Sequence, residues 1–321
     1  MQDLEDIKYT DVIHPNAICY AEWRKQLRPN YFLVYRDMII GYLVLIGLVF
    51  MSALVSPQNI VLFIITILIG SVLLGFLFAY ISLFLHEAGH FNLHKDKLKN
   101  DLITNIFLGA LFGIDIRSYR KIHWQHHLHL GTTADTETSY YHAPDAMFVI
   151  ESFTGIHLIK VINNKQGSSV LTKKMKKDSI RMLLISAGLN LFIVAMLVIG
   201  DYWAAAISWV AGMLIFFPFF AAIRQILEHR NESAEKNADY TRQSHGRVSR
   251  IFGSDLFSRI FGGAGFNKHM IHHWDPHISY TRLKEIETFL SDCERTRSIM
   301  NASRTGYLKT FRKLATKTTD S

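Results

Sequence analysis

Apolar residues are gathered into four long runs, and the charges crowd into the stretches between them. The first run spans Met38 to Ser56 and stops at Pro57-Gln58-Asn59. The second, Ile60 to Leu85, holds about 26 residues and reaches roughly 39 Å at 1.5 Å per residue. That exceeds a hydrocarbon core of about 30 Å, so its end is expected to project into water or tilt. The third runs from Ile180 to Gly200 and the fourth from Tyr202 to Ile223. Very short connections join the first to the second and the third to the fourth. A weaker stretch, Leu102 to Ile114, is too brief to cross and predicts a half-buried or interfacial helix.

The expected fold is therefore an all-α integral membrane protein with four transmembrane helices in two hairpins and a helical cap. The expected divisions are 1–37 (N-terminal segment), 38–85 (first hairpin), 86–179 (central segment), 180–223 (second hairpin) and 224–321 (C-terminal cap). The tight connections carry no Lys or Arg, whereas Arg24, Lys25, Arg28 and Arg36 precede the first run. Arg117, Arg120, Lys121 and the 173–177 cluster lie between the second and third. The positive-inside rule then places both termini and the central segment in the cytosol. In a bacterium the membrane would be the cytoplasmic one. The acidic amino terminus lacks an apolar core and is not expected to be a signal peptide, so the first run acts as a retained anchor. The basic tail after Arg295 is expected to be a solvated or lipid-touching end.

The overall hydrophobic content of 49% is uninformative beside this segregation. The formal net charge of +8 could suggest nucleic acid, but no aromatic-basic module accompanies it; basic loops facing anionic lipid explain it instead. Cys19 and Cys293 are the only cysteines, which excludes a disulfide framework, a zinc ribbon or an iron–sulfur cluster within the chain.

Histidine carries the chemistry. His86-Glu87-Ala88-Gly89-His90 follows the second run, and an i, i+4 pair lies on one helix face. His94 is expected to continue that face. His123-Trp124-Gln125-His126-His127 and His269-Met270-Ile271-His272-His273 repeat one spacing, whose offsets of 0, 3 and 4 predict three rings on one helical face, and Glu228-His229 follows the fourth run. With sixteen histidines in 321 residues, an H-x-x-H-H match is expected only about 0.04 times by chance. All of these clusters fall on the side that Lys and Arg assign to the cytosol.

So many imidazoles exceed what one four-coordinate zinc needs and suit two metal ions. Imidazole accommodates zinc, copper, iron and nickel, so ligand type alone does not choose. A redox-active pair beside a membrane favours two iron ions, which with O2 as co-substrate can remove hydrogen from an alkyl chain. Metal-bound histidines usually donate their other N–H to a carboxylate or carbonyl. Glu87, Asp135, Glu228 and Asp275 are near enough in sequence to accept it, with Gln225 and Asn267 as further candidates beside the ions.

At these boxes the sequence resembles the membrane fatty acid desaturase family, which includes acyl-lipid and acyl-CoA desaturases and carotenoid hydroxylases. The resemblance is nearest to small bacterial members with the pattern carried here by Asp115, Arg117, Tyr119, Arg120, His123, His126 and His127, followed by Gly131 and Asp135. The segment from His272 to Leu283 is similar to the family's closing box, with Ser279 where Pro is frequent. The resemblance implies a di-iron centre held by His86, His90, His123, His126, His127, His229, His269, His272 and His273. It leaves His94 and His129 unassigned and His277 outside the set. It also implies a lipid or acyl substrate taken from the bilayer. The chain has no nucleotide fold or haem module, so electrons are expected from a separate ferredoxin, cytochrome b5-like protein or reductase.

Three other readings stand beside desaturation. A hydroxylase or ketolase of a lipid or carotenoid would use the same scaffold. His86-Glu87-x-x-His90 is also the zinc metalloprotease motif, in which Glu87 would be the general base, but this leaves both H-x-x-H-H boxes unexplained. A metal transporter would need polar residues along the spans, and the four runs carry almost none.

Overall fold

The computed structural model describes residues 4–316 except 157, 158, 161, 162 and 164–168. The described residues are mostly helical. A one-turn helix, Tyr20–Trp23, precedes α1 (Tyr31–Ala53) and α2 (Ile60–Gly89). Next come α3 (Lys97–Phe112), α4 (Ile116–His129) and α5 (Ala146–Phe153). The third and fourth long helices are α6 (Lys173–Ile199) and α7 (Trp203–His229). Shorter helices follow: α8 (Leu256–Phe261), α9 (His269–Trp274), α10 (Leu283–Asp292), α11 (Glu294–Ala302) and α12 (Tyr307–Thr316). Two-residue parallel strands, β1 (Ile251–Phe252) and β2 (Arg304–Thr305), complete the described elements.

Four helices, α1, α2, α6 and α7, are long and apolar enough to cross a membrane, which makes this a multi-pass membrane protein. Leu43, Leu68, Leu191 and Ile199 are each more than 60% exposed on these helices. Facing water, each would forgo roughly 2 kcal/mol of burial; facing lipid tails they forgo little. The helix starts are set locally, since the side chains of Asn30 and Asn59 accept from Leu33 N and Leu62 N at the heads of α1 and α2.

Every long helix outruns the apolar stretch that announced it. With 30 residues, α2 spans roughly 45 Å. Its early turns are open to the surroundings, but Leu83, Phe84, Leu85 and His86 near its end are buried in protein. The fourth run, read as ending at Ile223, continues as helix to His229. Polar side chains can continue a helix once other protein, rather than lipid, surrounds it.

A close crossing packs α2 on α7. A Cβ on Gly75 would lie 2.2 Å from Phe216 Cβ, and one on Gly212 would lie 3.0 Å from Leu74 Cβ. Only glycine permits that approach. Between the two long pairs, α3 and α4 meet at 86° around Gly113, whose φ of 70° is left-handed. Leu102, Ile106 and Phe107 are exposed on α3, and the bent α3–α4 pair is together apolar enough for a broken span or a re-entrant loop.

The chain ends pack on one another. Leu4, Ile7, Val12 and Tyr20 share a core with Met270, Trp274, Ile286 and Leu290. The stretch after Arg295 corrects the expectation of a solvated end: α11 and α12 bury Met300, Tyr307 and Leu314. Apolar residues at helical spacing give each basic helix one face to bury, while Lys and Arg keep the other. Residues 317–321 of that tail lie outside the described residues.

Candidate metal centre

Four elements deliver histidines to one place. His86 lies in the last turns of α2, with His90 at its C-cap; α4 carries His123, His126 and His127; α7 ends on His229; α9 carries His269, His272 and His273. Eight of the nine are buried, and His127 is half-buried.

The ring nitrogens fall into two groups. Those of His86, His90, His123, His127 and His272 all lie within 4.8 Å of one another. So do those of His126, His229 and His273, while Glu228, His229 and His269 form an overlapping set through His229. Helix geometry explains the division. Successive residues turn by about 100°, so the last two histidines of H-x-x-H-H point to different places, while i and i+4 stay together. On α4, His123 and His127 serve one group and His126 the other. On α9, His269 and His273 pair and His272 crosses to the first group.

The spacings fit shared ions. His90 Nε2 and His127 Nε2 each lie 3.0 Å from His123 Nε2, and His272 Nε2 lies 3.2 Å from His127 Nε2. In the second group, His269 Nε2 lies 2.9 Å from His229 Nε2 and 3.1 Å from His273 Nε2. Nitrogens bound about 2.1 Å from one ion stand roughly 3.0–3.4 Å apart, depending on geometry. Hydrogen bonds alone do not satisfy such an arrangement, because one ring nitrogen carries at most one proton. His86 is the clearest case: it is 5% exposed, and neither ring nitrogen has a hydrogen-bond partner among the described residues.

Three rings are oriented from behind. His123 Nδ1 meets Glu137 Oε1 at 3.0 Å, His126 Nδ1 meets Asp135 Oδ1 at 2.9 Å, and His229 Nδ1 meets the Val248 carbonyl at 2.9 Å. Each contact orients its ring with Nε2 toward the group. Asp135 is itself held by the Tyr140 hydroxyl, and the Gln225 amide donates to Glu137. Burial, reinforced by neighbouring imidazoles, holds the pKa values of His90, His127, His269, His272 and His273 well below the usual range. These rings are neutral donors at neutral pH. Burial also opposes charge on His126, but Asp135 and Glu137 outweigh it and raise its pKa to about 9.

Several sequence candidates stand elsewhere. Glu87 accepts from Ser279 Oγ at 3.2 Å and from the Tyr280 backbone N–H at 3.3 Å, and its Oε1 is 3.9 Å from His86 Nδ1. Asp275 binds Tyr20 Oη at 2.8 Å and Arg24 Nε at 2.6 Å rather than a histidine. Asn267 donates to the Gly253 carbonyl at 3.1 Å. His94 does not continue the α2 face, because the helix stops at Gly89 and Phe91 turns the chain with a φ of 62°. Its Nδ1 instead accepts from the Asp96 backbone at 2.9 Å. His129 joins neither group, and His277 packs against Trp124 at a 41° tilt with ring centroids 5.1 Å apart. The reading missed Glu137, although it lies two residues from Asp135 in the same loop. The Val248 carbonyl had no signal in the side-chain sequence.

A cavity of about 440 Å³ adjoins the centre. His86, His123 and His229 line one part, and Leu111, Asn190 and Met213 line another. Asn190 is ten residues into the apolar part of α6, roughly 15 Å from Ile180 along the helix. The space therefore joins the histidines to the interior of the helix bundle, as a binding site for an apolar chain requires.

Together these features define a class: a multi-pass helical membrane protein with two converging histidine groups open to an apolar cavity. Residues 62–302 match the family model described as fatty acid desaturase, and the chain belongs to that family. No curated protein gives a significant match to the chain. Membership makes the protein an oxidoreductase of the kind that desaturates or hydroxylates lipid chains, in a family that is generally metal-dependent.

Proposed function

We propose that this protein desaturates a fatty acyl chain of a lipid, using two iron ions, O2 and electrons from a separate donor protein. The observation that carries this reading is the cavity joining both histidine groups to the apolar bundle interior. In it, His86, His90, His123, His127 and His272 hold one ion, and His126, His229, His269 and His273 hold the other. The ions supply, when bound, the oxidising power to convert a saturated chain, O2, two electrons and two protons into an alkene and two waters.

The chain's own residues supply placement. Glu137, Asp135 and the Val248 carbonyl hold three imidazoles with Nε2 forward. Leu111, Met213 and Phe217 line an apolar sleeve that excludes water from an alkyl chain. Leu214 lines this cavity and also a neighbouring apolar groove between α6 and α7 with Val194 and Trp203. An acyl tail can therefore reach the centre sideways from the bilayer. In this reading α1–α2 and α6–α7 are two hairpins, and the remainder forms a cytosolic cap carrying both termini. A ferredoxin, cytochrome b5-like protein or reductase docks there.

The protease reading loses support because the Glu87 carboxylate is engaged by Ser279 and Tyr280. Hydroxylation or ketone formation on a lipid or carotenoid uses the same centre and differs only after the first hydrogen is removed. Iron-loaded protein, given O2, an electron donor and membrane lipid, distinguishes these by mass spectrometry of the lipids. Loss of two hydrogens per chain is expected. A gain of one oxygen replaces desaturation by hydroxylation, and no oxygen uptake with any lipid sinks both.

A further inference from the structure

The two histidine groups are unequal, with five imidazoles in one and four in the other. Glu228 stands where the smaller one is short. A carboxylate oxygen of Glu228 lies within 4.8 Å of ring nitrogens of both His229 and His269. Its Oε2 is 3.7 Å from His269 Nε2, the nitrogen that also approaches His229 Nε2 and His273 Nε2. This differs from Asp135 and Glu137, which touch the rear Nδ1 atoms of their histidines. A carboxylate on the front nitrogens occupies a ligand's position rather than an orienting one.

Burial sharpens the point. Glu228 is 1% exposed; among the described residues its Oε1 has no hydrogen-bond partner, and Arg224 Nε, 3.4 Å away, has none either. A carboxylate removed from water needs a cation or full hydrogen bonding to remain there. Arg224 offers one charge, 3.4 Å from Oε1; an ion among His229, His269 and His273 would offer a second on the Oε2 side. Glu228 also lines the cavity, on the side where a substrate chain would lie.

We propose that Glu228 is a fifth ligand of the second ion. This rests on the division of histidines between two ions given above. The first ion then has five neutral nitrogens, and the second has four nitrogens and one anionic oxygen. The carboxylate lowers the net charge of the second site and makes it the harder of the two, favouring ions such as Mn2+ relative to the first.

The test is metal binding to metal-free, full-length protein in detergent, titrated with Co2+ and followed by calorimetry and visible absorption. Wild-type protein is expected to take two ions per chain. Glu228→Gln should retain the first at unchanged affinity and weaken the second by at least about tenfold. The first ion reports, in the same molecule, that the variant is folded. Glu228→Gln combined with Arg224→Gln should remain weak at the second site. If Glu228 served only to neutralise Arg224, the double variant would recover wild-type affinity, and that recovery overturns the proposal. Wild-type affinity for both ions in Glu228→Gln also overturns it. So does loss of both ions together, which would assign Glu228 to the fold. Wild-type protein that binds no ion would instead remove the di-metal reading itself.

Discussion

The two histidine groups share α4 and α9 but differ in their other helix, α2 for the first and α7 for the second, and in their surroundings. In the first, His86, His90, His123, His127 and His272 crowd together, with Glu137 behind His123 and Glu87 Oε1 3.9 Å from His86 Nδ1, both on the rear nitrogens. Acids surround the second, with Asp135 on His126 and Glu228 beside His269. Glu5 Oε1 is also 3.9 Å from His273 Nδ1. Two ions held in such unequal fields would differ in affinity. Two H-x-x-H-H boxes, each divided between the groups, thus contribute to two unlike sites, because the remaining histidines and the loops and termini folded against each group differ.

The comparison is tested most severely by removing one ligand from each side. His123→Ala should lower affinity for the first ion by about 100-fold or more and leave the second bound; His273→Ala should do the reverse. Metal analysis after dialysis checks this, and equal loss of both ions in either variant would mean that the groups act as one site. A smaller effect is expected from the supporting carboxylates. Asp135→Asn and Glu137→Gln should each cost about tenfold to 100-fold in ion affinity, the former at the second site and the latter at the first. Calorimetric titration of the two variants separates these outcomes.

The smallest effect is expected outside both groups. Asp275→Asn removes the charge that holds Arg24 and Tyr20, so it should cost roughly 2 kcal/mol in stability with no change in metal content. Denaturation in detergent, read alongside metal analysis, checks it. A selective loss of one ion would return Asp275 to the metal centre, where its sequence position next to His272-His273-Trp274 had suggested it.

Legibility followed range along the chain. The spans were readable because lipid demands an unbroken apolar surface, and that demand is written in consecutive residues. The expectation of three rings of each H-x-x-H-H box on one face is corrected: the 100° step of a helix parts the adjacent histidines, and the two boxes are divided between the groups. Helix ends were less readable: α2 and α7 continue as far as Gly89 and His229 because protein, not lipid, surrounds their last turns. Partners distant in sequence were not readable. Asp275 sits beside a histidine box but faces Arg24, 251 positions away, and Glu87 sits within one but faces Ser279 and Tyr280.

The amino-acid order alone determined four apolar helices and nine histidines in helical register, because the bilayer's thickness and the α-helix's pitch are fixed rules acting on neighbouring residues. Tertiary structure decided which imidazole stands with which, which carboxylate supports each ring, and where the cavity runs. These are long-range matters: side chains drawn from nearly two hundred positions converge only after α2, α4, α7 and α9 have packed, and no local rule states how they will.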